Sequence, residues 1–523
     1  AQAGAGDGKV NIGYVNATGR DLKAVTIPGD LGQIDCGDSK SDPGLGKLTL
    51  DSMGIFGLST QGSGASQSSL ITGPTKSIAV AGSFASDLRI LKISKSAGLL
   101  GKVVIGGDLD GTLQNDAKLT AEGSIGSIVI KGMIKASAIA ETATLQADDN
   151  IGKITVGVAP AKGAPAPTGI VVLGVGTDSA KISADGFSKN ALGRVTIYGS
   201  VQGGGDNSAQ IVAGSASIGK VLITGDFVGG AGGDSAEMNA DAILKSVTIL
   251  GNLQGAGGSN SGSLIGVDGV GKIKVGGSLL GGSNSESGFI WGEGAPIKSV
   301  EIDGSVTGGT GSFSGSINGS SIGKVLIKGD VTSSTGPHSA NIISDTFLGS
   351  VNILGQVTGT AAHNVVIMAQ SAAKPSKTAD VAIKSVKIGK DATYLDILAG
   401  YNGSNSGDFQ PLVDGNASIG AVTFGAGLSG VNIAAGVNPS DGKFGNGNDF
   451  VPVAFAGKPI ATIGKIVVTG TVDATADATD SFAFTAQLVK SAKINGQKQA
   501  LTKGASNDPS VPVSADTIIQ EVT

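Results

Sequence analysis

A phrase that recurs about every 26 residues constrains the fold of this chain more than any other feature. From residue 192 the sequence reads ALGRVTIYGS, SIGKVLITGD, ILKSVTILGN, GVGKIKVGGS, PIKSVEIDGS, SIGKVLIKGD and FLGSVNILGQ. The second residue of each aliphatic-[GK]-[KRSA] step falls at Gly193, Gly219, Lys245, Gly271, Lys298, Gly323 and Gly349, with gaps of 26, 26, 26, 27, 25 and 26 residues. A fixed period of this length predicts a solenoid, in which each repeat buries its apolar face by stacking on its neighbours.

Three short strands are predicted in each repeat. The first strand alternates, as in Val195/Ile197 and Val221/Ile223, so that its β-branched residues face inward. A glycine turn and a single inward apolar residue follow, and after a Gly/Ser/Asn-rich stretch the third strand has a small-large-small inner face, as in Ala209-Ile211-Ala213. A serine precedes each third strand, which predicts a stacked ladder of hydroxyls. Lys274 and Glu301 are expected to form an exposed ion pair between neighbouring coils.

The predicted fold class is therefore all-β: a single parallel β-helix, expected to be right-handed, with about 17 coils of ~26 residues and three strands per coil. Leucine-rich repeats would need an LxxLxLxxN pattern, which the sequence lacks. Looser copies of the phrase occur near Lys23, Gly46, Lys76, Gly101, Gly126, Gly152, Lys384, Gly420, Gly464 and Lys490.

Breaks in the rhythm divide the chain into three parts. Residues 1–20 are expected to form an N-terminal extension or cap, 21–495 the solenoid, and 496–523 a tail that acts as a capping or subunit-joining strand. Insertions near 157–169, 361–380, 400–415 and 437–459 are expected to leave the solenoid as surface loops, since repeat arrays accommodate extra residues in that way.

The two ends of a solenoid are exposed strand edges that need a cap or a partner. No amphipathic capping helix is evident in the sequence, so the ends are expected to dock on another copy of the chain by strand addition. The alternative is a capped monomer, with the tail folded over its own last coil.

Composition narrows the classes of partner. The chain has a net charge of −5 and only three arginines, Arg20, Arg89 and Arg194, so no nucleic-acid partner is expected. No run of 18 apolar residues is present, so no membrane span is expected either.

The sequence starts AQAGAGDGKV, which is typical of a mature end after removal of a secretory signal, and a secreted or cell-surface location is expected. The single cysteine, Cys36, is expected to be a buried thiol, with an intermolecular bridge as the alternative.

No catalytic site is predicted. Asp108, Asp226 and Asp330 share one position after the turn glycine, but Asp226 and Asp330 are four coils apart, about 19 Å at the strand spacing. Paired glycosidase carboxyls need about 5–10 Å, so these aspartates are interpreted as turn residues. The histidines His338 and His363 are not expected to be catalytic. No cofactor is expected, although calcium remains an option in the loop from Asp441 to Asp449.

The candidate contact surface is aromatic. If the third-strand register is correct, Phe289 and Trp291, the only tryptophan, occupy outward positions with Ile265 beside Trp291. An exposed apolar patch of this kind indicates a subunit contact; cover by a loop or the tail and sugar stacking are the alternatives. The full set of candidate subunit or partner contacts is Ile265, Phe289, Trp291, Ile518, Ile519 and Val522.

With IGKVLITGD, IGKVLIKGD and their Gly/Ser-rich spacers in view, the chain resembles secreted bacterial β-strand-repeat proteins, parallel β-helices similar in style to autotransporter passengers and filamentous adhesins. The resemblance implies an extracellular location and a role in adhesion, fibres or surface layers. The chain is expected to be a non-enzymatic structural subunit that self-assembles into a fibre or surface layer. The alternative is an adhesin or a polysaccharide-binding or polysaccharide-degrading protein that uses the loops at 361–380 and 400–415. A groove lined by Asp, Lys and Tyr, with Tyr394 and Tyr401 nearest, would favour that alternative.

Overall fold

The computed structural model describes residues 8–38, 40, 43–60, 67–93, 98–114, 117–187, 190–376, 379–402, 412–453, 459–477 and 479–523. Parts of the predicted N-terminal extension (1–7) and of the expected loops (377–378, 403–411 and 454–458) therefore lie outside the described residues. The chain divides into two compact units. The first comprises Ala1–Asn252 and Gly257–Gly266, and the second comprises Leu253–Ala256 and Val267–Thr523.

The first unit is built from parallel strands arranged as three walls, after two opening strands, β1 (Ile12–Thr18) and β2 (Val25–Gly37). The first wall contains β3 (Leu45–Met53), β5 (Thr75–Val80), β7 (Leu100–Ile105), β10 (Ile125–Ile130), β13 (Ile151–Val156), β16 (Leu192–Ile197), β19 (Ile218–Ile223) and β22 (Ile243–Ile249). The second contains β8 (Leu109–Asp110), β11 (Ile134–Lys135), β14 (Ile170–Leu173), β17 (Ser200–Gln202) and β20 (Phe227–Val228). The third contains β4 (Ser68–Thr72), β6 (Asp87–Leu91), β9 (Lys118–Ala121), β12 (Leu145–Ala147), β15 (Ile182–Ala184), β18 (Ile211–Ala213), β21 (Met238–Ala240) and β24 (Leu264–Gly266). Two single turns of helix, Gly57–Thr60 and Gly111–Gln114, interrupt the strands.

The second unit repeats this plan. Its first wall contains β25 (Gly269–Val275), β28 (Ile297–Ile302), β31 (Ile322–Ile327), β34 (Leu348–Ile353), β37 (Val381–Ile388), β39 (Ser418–Phe424), β43 (Thr462–Val468), β46 (Leu488–Val489) and β47 (Ala492–Ile494). The second contains β23 (Leu253–Gln254), β26 (Leu279–Leu280), β29 (Val306–Thr307), β32 (Val331–Thr332), β35 (Val357–Thr358) and β44 (Val472–Asp473). The third contains β27 (Ile290–Gly292), β30 (Ile317–Gly319), β33 (Ile342–Ser344), β36 (Val365–Ala369), β45 (Phe482–Ala486) and β50 (Thr517–Glu521). Strands β38 (Ala392–Ala399) and β40 (Leu428–Ala435) serve both the second and the third wall, and the short strands β41 (Asn438–Pro439), β42 (Asp449–Phe450), β48 (Gln497–Lys498) and β49 (Val511–Pro512) lie outside the walls.

Strand pairing confirms the parallel β-solenoid. In the first unit β13 pairs in parallel with β10 and β16, and β15 pairs with β12 and β18. In the second unit β31 pairs with β28 and β34 in the same way. Each strand thus pairs with a strand one coil away, so the Val and Ile residues of the phrase stack in register along the inside of the first wall.

The inner faces match the predicted alternation. Val195 and Ile197 are 1% and 0% exposed, and Ala209, Ile211 and Ala213 of the third wall are also buried. Because β-branched residues suit a pleated surface and small residues suit the corners, one short sequence pattern fills the whole coil interior.

A close backbone approach explains why glycine recurs in the phrase. A Cβ on Gly219 would lie 2.1 Å from the carbonyl oxygen of Gly193, and a Cβ on Gly349 would lie 2.1 Å from that of Gly323. A side chain at either position would therefore force the neighbouring backbone to shift.

The serines before the third strands are buried, and the hydroxyls of Ser208 and Ser314 bond within their own coil and not along a ladder between coils. The Ser208 hydroxyl donates to the carbonyl of Gly205 and accepts from the N–H of Gly204, both within its own coil. Ser314 bonds to Gly311 and Gly309 in the same manner. Each hydroxyl closes its own corner because residues on either side of the serine, such as Asn207 and Ala209 (φ of 53° at both), turn through the left-handed region.

The tail is paired within the chain. Strand β50 adds in parallel to β45, and β49 pairs antiparallel with β50. On the first wall, β48 folds back antiparallel on β47. The described C-terminal strands thus carry antiparallel neighbours. No helix in the described part of the chain is long and apolar enough to cross a membrane.

Candidate functional site

The candidate site is a notch in the second unit, produced by a change in the length of one corner. Between the second and third walls the chain takes a corner segment of residues 359–364 after β35, and another that includes residues 474–477 and 479–481 after β44. Between these, β38 and β40 run from one wall into the next without a corner segment. Because β36, β38, β40 and β45 pair in that order, two coils without a projecting corner lie between two coils that have one.

The resulting cavity has a volume of about 230 Å³. Its polar lining comes from Asn364, Asp396, Asn432, Lys443 and Asp480, with the aromatic residues Tyr394, Phe444 and Phe482 and the histidines His338 and His363 around them. The notch therefore brings together Asp, Lys and Tyr side chains in one cavity.

A carboxylate held by two amides forms the floor of the notch. The Nδ2 group of Asn364 donates to Asp396 Oδ2 at 3.0 Å, and the Nδ2 group of Asn432 donates to Asp396 Oδ1 at 2.9 Å. The Oδ1 atom of Asn432 accepts the N–H of Ala483 at 3.0 Å, which fixes the orientation of that amide. Burial raises the pKa of Asp396 above its ordinary value, and the two amide donors oppose this effect.

Tyr394 lies at the edge of the notch in a strained backbone conformation. Its φ is 48°, in the left-handed region that a bulky residue rarely adopts. Its ring passes over Gly430, where an added Cβ would lie 2.9 Å from Tyr394 Cδ1. Gly430 thus provides the space that lets an aromatic ring lie against the corner of the next coil.

The remaining wall of the notch contains a hydroxyl with unused hydrogen-bonding capacity. Ser481 Oγ is buried and has no hydrogen-bond partner within the described residues. Beside it, Asp480 Oδ2 accepts from the Thr475 hydroxyl at 3.0 Å, and Lys443 Nζ donates to the carbonyl of Thr479 at 3.3 Å. A buried, unpaired hydroxyl is costly unless a ligand or water satisfies it.

A second apolar core supports the notch from outside the coils. Outward residues of the third wall, Ile343, Met368 and Leu398, are 3%, 0% and 5% exposed. They are packed with Phe444, from the loop between β41 and β42, and with Tyr401. The rings of Tyr401 and Phe444 meet edge to face at 6.3 Å. The expected insertion at 437–459 therefore folds onto its own wall in its described part, and positions Lys443 and Phe444 at the notch.

The predicted apolar contact surface is corrected by the structure. Phe289 and Ile265, expected to be outward and exposed, are 1% and 4% exposed. Trp291 is half-buried, with its ring 5.9 Å from that of Phe289.

The tail residues of the predicted contact set are also largely covered. Ile519 and Val522 are buried, and Ile518 is half-buried, because β50 is a strand of the third wall. The sequence predicted the tail to be a capping or subunit-joining strand, and the described residues pair it within the chain. A role for them in subunit contacts stays a prediction.

The aspartates read as turn residues have that role. Asp226 Oδ1 accepts the N–H of Asn252, Asp330 Oδ1 accepts that of Gln356, and Asp108 Oδ1 accepts that of Met133, each one coil later.

Of the two histidines, His338 is buried and stacks on Phe313 with ring centroids 4.8 Å apart. His363 is half-buried and donates its backbone N–H to the carbonyl of Thr360. Both histidines line the notch, which sequence spacing did not indicate.

In the loop from Asp441 to Asp449, which was considered for calcium, both of these carboxylates accept hydrogen bonds from backbone N–H groups of the same loop. Asp441 Oδ1 accepts the N–H of Lys443, and Asp449 Oδ2 accepts the N–H of Gly445. Within the described residues, no group of three or more His, Cys, Asp or Glu side chains is placed to hold a metal ion. Cys36 is 2% exposed, as expected, and burial raises the pKa of its thiol to about 12.

Comparisons with protein-family models, with curated proteins and with solved structures give no match for this chain.

Proposed function

We propose that this chain is a non-enzymatic extracellular β-solenoid that binds a carbohydrate in the notch of its second unit. The observation that carries the proposal is the Asn364–Asp396–Asn432 ladder next to the ring of Tyr394. Sugar rings present hydroxyls, which need oriented donors and acceptors, and an apolar C–H face, which packs on aromatic rings.

The size and hydrogen-bonding state of the notch agree with a sugar ligand. A cavity of about 230 Å³ is smaller than the roughly 300–1,000 Å³ of drug-sized ligand sites, so it suits a single sugar residue of a glycan. The hydroxyl of Ser481 and the ammonium of Lys443 add a buried polar group and a charged donor to the amides. Binding a sugar hydroxyl would give Ser481 the partner that the described residues do not supply.

The hydrogen bonds to Asp396 favour a binding role over a catalytic one. Both of its carboxylate oxygens accept hydrogen bonds from amides, so its geometry serves to orient Asn364 and Asn432. General acid–base catalysis would instead need a carboxyl group free to reach the glycosidic oxygen or a water.

The test is binding of the full chain to a glycan array, followed by calorimetric titration of the glycan that binds best. Asn364→Ala and Lys443→Ala should each weaken that affinity at least tenfold. Lys387→Ala, which removes an exposed lysine from the first wall of the same unit, serves as the matched control and should leave the affinity unchanged. An array without binding, or equal affinities for all variants, would exclude the notch as a glycan site.

A subunit of a fibre or surface layer is the second candidate function, and one observation favours it. Within the described residues, β1 pairs only with β2, so its other edge keeps backbone groups available for strand addition. Tyr14 and Val10 near this edge are 42% and 57% exposed. The test is electron microscopy across a concentration series: filaments or sheets that disappear when Val15 is replaced by Pro would support assembly through β1, and isolated particles at every concentration would exclude it.

A further inference from the structure

A column of cations runs along the outer face of the first wall in the first unit. Lys102, Lys153, Arg194 and Lys220 occupy equivalent register positions on β7, β13, β16 and β19, with Ser127 of β10 between the first two. Lys76 precedes Ser77, which pairs with Lys102. These five basic residues, named here the cationic stripe, are all exposed.

The stripe is not neutralised within the described residues. None of its members forms an ion pair there, and the first-wall strands from β5 to β22 contain no Asp or Glu. Lys153, Arg194 and Lys220 are direct neighbours, so their like charges repel at about 4.8 Å between strands. An uncompensated row of cations on a chain of net charge −5 indicates a binding surface for an anion.

The second unit shows how this protein arranges lysines that are paired. There, Lys274 and Lys328 on neighbouring parts of the first wall both contact Glu301 and Asp303, at 2.5–3.1 Å. Lys274 and Glu301 occupy the next outward position of the wall, where the stripe strands carry uncharged residues such as Thr196 and Leu222. The stripe therefore has no carboxylate beside it on these strands.

The Pro-rich insertion adds a shallow cavity beside the stripe. Its first residues, Val158 and Ala159, border a cavity of about 350 Å³ that Lys153, Arg194 and Tyr198 also line. With Lys131, three cations and one aromatic ring line this cavity, and they match the two faces of an acidic sugar, its charged group and its C–H surface.

We propose that the cationic stripe binds a linear anionic polysaccharide, one that carries carboxylate or sulfate groups along its length, and that Lys153, Arg194 and Tyr198 form the strongest subsite. A straight row of charges at the strand spacing is complementary to an extended polymer with one anionic group per one or two sugar units. This site is separate from the notch and does not depend on the function proposed for it.

A nucleic acid fits the stripe less well. Single-stranded nucleic acid is bound on platforms of several aromatic side chains, whereas the other outward positions of these strands are mostly Thr, Val and Leu, as at Thr155, Val129 and Leu222. Four of the five basic residues are lysines, which act as point charges and lack the bidentate geometry that arginine uses to bind phosphate.

The test is binding of the full chain to polygalacturonate and to heparin, with neutral dextran as the uncharged probe. A variant with Lys76, Lys102, Lys153 and Lys220 all replaced by Gln is compared with a control variant in which the exposed Lys387, Lys390, Lys498 and Lys503 are replaced by Gln. Both variants lose four positive charges, so they have the same net charge.

We expect the wild-type chain to bind at least one of the two polyanions, with an affinity that falls steeply as salt rises. The stripe variant should lose at least tenfold in affinity and most of the salt dependence, and the control should change less than threefold. Carboxylate specificity would appear as preference for polygalacturonate, and sulfate specificity as preference for heparin. Equal losses in both variants, no binding to either polyanion, or tighter binding of single-stranded DNA would overturn the proposal. Asn364→Ala should leave polyanion binding intact, which separates this result from that of the notch.

Discussion

Asp226 Oδ1 accepts a hydrogen bond of 2.7 Å from the backbone N–H of Asn252, 26 residues later and one coil further along the first unit. Asp226 in turn donates its own N–H to Ser200 Oγ, one coil earlier, at 2.9 Å. The corner side chain of each coil therefore satisfies a backbone donor of the next coil. Serines have the same role in the second unit. The N–H of Ser305 donates to Ser278 Oγ, and the N–H of Asp330 donates to Ser305 Oγ, each one coil later.

Removing one of these corner acceptors should destabilise the stack locally. Asp226→Ala leaves the Asn252 N–H without its acceptor, which should cost about 1–2 kcal/mol of unfolding free energy. Asp226→Ser should recover part of this loss, since serine has the same role at Ser200. Asp268→Ala, at an exposed aspartate, is the control. Thermal denaturation measures all three, and an unchanged midpoint for Asp226→Ala would contradict a stabilising role for the corner bond.

Glu237 should make the first unit less stable as pH rises. This carboxyl group is 5% exposed, and burial, with the nearby Asp234 as a further cause, raises its pKa from 4.5 to about 8. Between these pH values the folded chain binds a proton that the unfolded chain has released, so the unfolding free energy falls with rising pH by up to about 1.4 kcal/mol per pH unit.

Glu237→Gln should remove this dependence. Urea denaturation of both chains at pH 5, 7 and 9 measures the effect: the two stabilities should be similar at pH 5, and the variant should be the more stable at pH 9. Parallel curves for the two chains across this range would show that Glu237 ionises normally in the folded state.

The four-charge network of Lys274, Glu301, Asp303 and Lys328 should contribute modestly, and only while its carboxylates are ionised. Hydrogen bonds from the two lysines lower the pKa values of Glu301 and Asp303. Depressed folded pKa values stabilise the fold above the ordinary carboxyl pKa of about 4, and this contribution is lost as pH falls below it.

Asp303→Asn should therefore lower the melting temperature slightly at pH 7 and low salt, because exposed pairs are weak. The difference from the wild-type chain should shrink at 1 M salt and at pH 3. A difference that persists under both conditions would indicate a packing effect of Asp303 and not its charge.

Phe444→Ala should detach the loop between β41 and β42. The ring is 4% exposed and packs in the outer core with Tyr401, and its loss should cost about 3–5 kcal/mol of local stability. Hydrogen–deuterium exchange should speed up in residues 438–450, with the first wall unaffected. Because Phe444 and Lys443 both line the notch, glycan binding should weaken as well. Unchanged exchange in this loop would show that the outer core does not hold it in place.

The repeated coil could be predicted from sequence because each of its determinants is local and periodic. Residues equivalent to Val195 and Ile197 occur once in each repeat, and Gly219 and Gly349 mark the close backbone contacts. The structure of one repeat therefore predicts that of its neighbours. The serine corners were located correctly, but their hydrogen bonds were not, because φ angles such as that of Ala209 cannot be read from residue type.

The notch could not be predicted in the same way. Asn364, Asp396 and Asn432 are separated by 32 and 36 residues, so they fall outside the 26-residue period. The informative signal was the distance from the turn glycine to the third strand, which shortens abruptly before Asp396. The burial of Phe289 was also not predicted, and Val522 is buried in the outer core that contains Tyr401 and Phe444.

The cationic stripe was visible in the sequence but was not recognised. Most coils place a basic residue at the second or third position of the phrase, as Lys76 and Lys102 do. The whole chain is acidic and has few arginines, so its net charge does not indicate a cluster of basic residues. The cluster becomes evident only when the strands are aligned in register.

The central claim, that the notch binds carbohydrate, is tested most directly by hydrogen–deuterium exchange of the full chain with and without the glycan selected on the array. We predict protection confined to residues 361–364, 394–398, 442–444 and 480–482, and lost in Asn364→Ala. Protection of the first-wall strands of the first unit alone, or of no segment at saturating glycan, would contradict it.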